Sequence, residues 1–83
     1  MPVSIEHTPN PNALKFTIGA AVGGPATFVA PTDDPLAASL LDIEGVTSIF
    51  LTADFVTLSK TPDADWESIA PRATAILEAH FEI

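Results

Sequence analysis

The ten residues His7-Thr8-Pro9-Asn10-Pro11-Asn12-Ala13-Leu14-Lys15-Phe16 constrain this chain more than any others. Pro9 and Pro11 each fix their own φ, and each pushes the residue before it, Thr8 and Asn10, toward extended geometry. The side chains of Asn10 and Asn12 readily hydrogen-bond to nearby backbone and so hold a turn shape. Two prolines in the five residues 8–12 make a stiff loop that loses little entropy on folding or on binding. Beyond it, Leu14, Lys15, Phe16, Thr17 and Ile18 alternate apolar and polar, the period of a half-buried strand. Before it, Val3, Ile5 and His7 alternate with Ser4, Glu6 and Thr8, which reads as a first strand. The loop is either a stiff strand connection or a shaped, polar recognition surface at the mouth of the second strand.

Composition sets the limits around that loop. A chain of 83 residues has room for one core, so residues 1–83 are read as a single domain. Apolar residues make up 47% and charged residues 17%, which separates the chain from disordered sequences. No apolar run approaches the roughly 20 residues of a membrane span. The N-terminus shows no basic stretch followed by an apolar one, so a cytoplasmic protein is expected. There is no cysteine, which excludes disulfides and any thiolate ligation of zinc or of an iron–sulfur cluster by these residues. Eleven acidic residues face only Lys15, Lys60 and Arg72, for a formal charge of −8. Three scattered cations cannot form the basic stripe that phosphate neutralisation needs, so nucleic acid is excluded as a partner. Anionic membrane surfaces are disfavoured for the same reason.

Further along, the second strand is expected at 13–18 and a third at 26–30, closed by Pro31. The segment 19–25 holds three of the four glycines and is expected to join those two strands as a loose hairpin. Thr32-Asp33-Asp34-Pro35 signals a helix start, with Asp34 as cap and Pro35 at the first helical position. Leu36, Leu40 and Ile43 share one helical face, and Gly45 sits where a left-handed C-terminal cap belongs. Two β-rich runs, 46–52 and 55–60, flank Ala53-Asp54 as a hairpin, with Phe55 off the main core face. Asp63 or Asp65 caps a last helix that buries a stripe of Trp66, Ile69, Ala73, Ile76, Leu77, His80 and Phe81. Pro71 lies beyond its first turn and predicts a kink or a separate initial turn. The element order predicts an α+β fold, with two helices packed on one face of a mainly antiparallel sheet.

Thr8-Pro9-Asn10-Pro11-Asn12 followed by Leu14-Lys15-Phe16 resembles the opening signature of the Nfu/NifU N-terminal domain family. Ile43-Glu44-Gly45-Val46 with Phe50, Asp54-Phe55-Val56-Thr57, and Asp65-Trp66 with Pro71 are similar to that family in order and spacing. The resemblance covers essentially the whole chain. It implies a part in iron–sulfur cluster assembly, through contact with a protein that carries or receives a cluster. In longer proteins of this type, a second domain with a Cys-x-x-Cys motif assembles or carries the cluster. Iron binding is a further implication of the resemblance.

The residues themselves offer no resident cofactor, and iron is the one candidate metal. His7 has Glu6 beside it, but neighbours on a strand point to opposite faces. His80 and Glu78 are two apart on a helix, which also separates them. Asp33 and Asp34 are explained by capping. No strand–turn–helix motif frames a serine, and Gly23-Gly24 is a turn and no phosphate cradle, so no enzyme is expected. The partner-binding candidates are therefore Thr8, Pro9, Asn10, Pro11 and Asn12 of the loop, with Lys15, Asp54 and Phe55. Lys15 pairs with a partner carboxylate or is a solvated strand residue. Phe55 anchors a partner or packs at a strand end. Trp66 reads as core or helix cover. Two rival functions are compatible with the same residues: direct iron delivery through His and carboxylate ligands, and a binding scaffold unrelated to iron–sulfur chemistry.

Overall fold

The computed structural model describes residues 3–19 and 21–82. Alternation along the strands decides which side of the sheet is buried. β2 (Ala13–Thr17) buries Leu14 and Phe16, β4 (Val46–Thr52) buries Ile49 and Leu51, and β5 (Phe55–Lys60) buries Val56 and Leu58. Register puts these residues opposite one another: Leu14 and Ile49 both face Leu58, and Phe16 and Leu51 both face Val56. Each such side chain contributes about 1.5–3 kcal/mol on burial. Together they make one apolar sheet face, against which α1 (Pro35–Leu41) packs Leu36, Ala37 and Leu40, and α2 (Trp66–Phe81) packs Ile69, Ala73 and Leu77. With β1 (Ser4–His7) and β3 (Ala26–Phe28) at the edges, the antiparallel order is β1-β2-β5-β4-β3. This is the expected α+β architecture.

The capping signals act as read. Asp34 Oδ2 accepts from the Ala37 N–H at 2.9 Å with Pro35 beginning α1, and Asp65 Oδ1 accepts from the Glu67 N–H at 3.0 Å. The hairpin also stands, with Thr52 opposite Phe55 across Ala53-Asp54.

Four expectations are corrected. The segment 19–25, of which Ala20 is outside the described residues, does not close a hairpin, because β5 and β4 lie between β2 and β3. It crosses the end of the sheet instead, where Ile18 and Gly19 N–H donate to Asp54 O at 2.7 and 3.3 Å and Val22 N–H donates to Ala53 O at 3.0 Å. Glycines mark where the chain turns, whereas pairing follows the apolar faces of β4 and β5. Gly45 has the left-handed φ of +98° but lies past the end of α1, in the turn that Val46 N–H closes onto Ile43 O at 3.1 Å. α2 is one continuous helix with Pro71 inside it, without a separate first turn. Pro71 and Glu67 are both exposed, so the carbonyl that Pro71 leaves without a helical donor lies on the solvent side of α2. His80 is exposed at the last turn and leaves the buried stripe.

Two turn residues give opposite predictions. A Cβ on Gly45 would sit 2.5 Å from Ala64 Cβ, so Gly45→Ala should destabilise by about 2 kcal/mol or more through φ strain and overlap. Ala53 already carries a Cβ at φ +52°, so Ala53→Gly should stabilise by about 0.5–1 kcal/mol. Urea unfolding of both variants checks the signs; equal effects would rule out backbone strain as their cause.

Candidate functional site

The loop 8–12 is wired internally before anything else touches it. Ala13 N–H donates to Asn10 O at 3.0 Å, closing a turn with Pro11 at the second position, where its fixed φ is favoured. Asn12 N–H donates to Asn10 Oδ1 at 2.9 Å. The Thr8 hydroxyl accepts from Asn10 N–H at 3.2 Å and lies 2.9 Å from Asn10 O and 3.0 Å from Ala13 O, between which its single proton is shared. The knuckle so formed is then tied to the end of β5 and the start of α2. Lys60 N–H donates to Asn12 O at 2.8 Å, Lys60 Nζ donates to Asn12 Oδ1 at 3.2 Å, and Trp66 Nε1–H donates to Pro11 O at 3.0 Å. Lys60 Nζ also stands 5.8 Å from the Trp66 ring centroid, within cation–π range. Beside this anchor the Thr61 hydroxyl, the backbone N–H of Asp63 and the Lys60 charge hold the exposed Asp63 carboxyl below its ordinary value. The inner side of the knuckle is fixed, while Pro9, Asn10 and Pro11 are exposed.

Lys15 and Phe55 form a second group, with Asp54 exposed in the adjoining hairpin turn. Lys15 faces away from the helices, as do its register partners Glu6 and Thr57. Its Nζ lies 4.4 Å from the Phe55 ring centroid and 3.8 Å from Glu6 Oε1. The Thr17 hydroxyl donates to the same Glu6 oxygen at 3.2 Å. An exposed ion pair of this kind contributes about 0–1 kcal/mol, so its effect is chiefly to lay Lys15 across Phe55. Phe55 is half-buried on this open face, off the core side as expected. Register separates the two groups: Ala13 beside the knuckle pairs with Ser59, and Thr17 pairs with Phe55. Four strand residues at about 3.3 Å each put about 13 Å between the knuckle end of β2 and Phe55, with Lys15 midway and laid toward Phe55.

Lys60 and Phe50 were not among the binding candidates read from the sequence, and Trp66 was read as core or helix cover. Trp66 is half-buried and also holds the knuckle by its indole N–H. Phe50 joins Phe55 on the open face, 38% exposed. Its signal was available: of the consecutive apolar residues Ile49, Phe50 and Leu51 in a strand, the middle one must face away from the other two. Among the described residues no three His, Cys, Asp or Glu side chains gather to hold a metal ion. His7 and His80 are both exposed.

The sequence model described as "Scaffold protein Nfu/NifU N terminal" matches residues 3–83. The chain belongs to the Nfu/NifU N-terminal family. It is 39% identical over 85 aligned positions to the Drosophila erecta protein named NFU1 iron-sulfur cluster scaffold homolog, mitochondrial, covering 95% of this chain and 30% of that protein. A NifU-like protein of Schizosaccharomyces pombe is 38% identical, with 92% of this chain and 32% of that one covered. The chain thus spans about a third of the length of the curated relatives it matches. Its fold matches the crystal structure of Staphylococcus aureus protein SAV1430 with a TM-score of 0.79 at 35% identity, over 94% of this chain and all of the other. The solution structure of a NifU-like protein from Saccharomyces cerevisiae matches with a TM-score of 0.82 at 26% identity, over 96% and 77%.

In this Nfu/NifU N-terminal domain, the Trp66 indole tests how firmly the knuckle is held. Trp66→Phe keeps an aromatic ring and removes the donor to Pro11 O. It should cost about 1–2 kcal/mol in urea unfolding, from the lost hydrogen bond and some lost contact area. An unchanged midpoint would show that the indole tie contributes nothing.

Proposed function

We propose that these residues act as a non-catalytic docking module in iron–sulfur cluster assembly, whose knuckle 8–12 contacts a protein that carries or receives a cluster. One observation carries the reading: a loop hydrogen-bonded on its inner side, displaying Pro9, Asn10 and Pro11 outward. Such an epitope loses little conformational entropy when a partner seats on it. Family membership supplies the iron–sulfur context, since the matching family and the fly relative are both named as scaffolds. Without cysteine, these residues offer no thiolate to a cluster, and the role that fits them is recognition, with the cluster held by the partner. We place this action in the cytoplasm. The fly relatives carry a mitochondrial name, so fractionation of the native cells, with recovery outside the cytoplasm as the contrary result, checks the placement.

The knuckle admits a substitution that leaves its framework intact. Asn10 Oδ1 accepts from Asn12 N–H, whereas no hydrogen bond among the described residues engages the side-chain Nδ2 of Asn10. Asn10→Asp keeps the acceptor and exchanges the outward NH2 for a carboxylate oxygen. Replacing Asn10 and Asn12 together with alanine would be less clean, because Asn12 Oδ1 also receives Lys60 Nζ. With a cluster-loaded Cys-x-x-Cys scaffold domain of the same family as probe, Asn10→Asp should weaken binding about tenfold, or about 1.4 kcal/mol. Its unfolding midpoint should not move. Unchanged affinity would remove the knuckle from the docking surface.

A further inference from the structure

No helix covers the second face of the sheet among the described residues, and that face differs in charge from the rest of the chain. Of the eleven acidic residues, all but Glu6 and Asp54 lie in the helices or in the turns that flank them. The helix layer is therefore strongly acidic. The centre of the open face carries one charge of each sign, Glu6 and Lys15, which neutralise each other at 3.8 Å, while Asp54 lies in the hairpin turn at its end. Around them stand the rings of Phe50 and Phe55 and the hydroxyls of Thr17 and Thr57. Depletion of net charge with enrichment in aromatic residues is the composition of an interface centre.

We infer that this face docks against the same face of a second copy of the chain, as a weak two-fold dimer. A two-fold contact needs a patch complementary to itself, and a neutral patch holding one acid beside one base meets that condition. Facing sheet to sheet turns both acidic helix layers outward. The sheets alone stand about 10 Å apart, so the layers behind them are separated by more than the Debye length of about 8 Å at physiological salt. A partner drawn by charge would seat on the acidic helix layer, which leaves the neutral face to a neutral match. Area fixes the strength. Five strands at about 4.8 Å and five residues at about 3.3 Å give a footprint of about 400 Å² per copy, half of the roughly 800 Å² usual for a stable complex. The dimer is therefore reversible, and the knuckle 8–12, at the end of the sheet, remains free within it.

Sedimentation velocity on the intact chain tests the inference, independently of any partner for the knuckle. Mass should rise from the 8.7 kDa monomer toward twice that value. The rise is expected between about 10 µM and about 1 mM, the range of a small interface. Salt should favour association between about 20 and 300 mM NaCl, because it screens two chains that each carry −8. Phe50→Ser should raise the dissociation constant at least about tenfold. Lys15→Glu, which leaves two like charges on the face, should do the same, and unchanged thermal midpoints would show that both variants fold. A monomer at every concentration, association undiminished in Phe50→Ser, or association weakened by salt would each overturn the inference. So would a monomer whose Phe50 amide shifts on addition of the Cys-x-x-Cys scaffold domain, which would assign the face to that partner.

Discussion

The fold depends on the burial of one side of β5. Val56 and Leu58 are fully buried, and through them β2 and β4 are drawn to either flank, with Phe16 and Leu51 opposite Val56 and Leu14 and Ile49 opposite Leu58. A slip of one residue in either register would move a whole set of apolar side chains into water, so the pairing is strongly specified. Once that face is chosen, both helices have only one place to bury their stripes. The opposite face is left open, and Lys15, Phe50 and Phe55 come to it by alternation alone.

The knuckle is a second consequence of the same arrangement. With β2 beside β5, the loop before Ala13 reaches the end of β5, where Lys60 meets Asn12 through both backbone and side chain. With α2 laid over the buried face, Trp66 meets Pro11 O. Prolines alone restrict φ, whereas these ties restrict where the loop sits. Recognition needs only a shape that persists, and the hydrogen bonds supply it.

Local signals in the sequence were sufficient wherever the cause was local. Asp34-Pro35 announces α1, and the two β-rich runs around Ala53-Asp54 announce their hairpin, because cap and turn chemistry act over a few residues. The alternation that puts Phe55 off the core face and Lys15 outward is equally short-range. Strand order was not legible: the partner of β3 is decided by which apolar faces fit, and the glycines of 19–25 mark a turn without saying what it joins. The anchoring of the knuckle was hidden for a related reason, since Trp66 and Pro11 stand 55 residues apart and Lys60 and Asn12 stand 48 apart. Phe50 was hidden among apolar neighbours that suggest burial, although the period of a strand required it to face the other way.

Docking through the knuckle requires that the loop has its shape before any partner arrives. The most direct measurement is 15N relaxation of the backbone N–H groups of Thr8, Asn10, Asn12 and Ala13 in the free protein. Order parameters near about 0.85, matching those of β2 and β5, are the result the account requires. Values below about 0.6 would show a loop that takes its shape only on binding, and would contradict it.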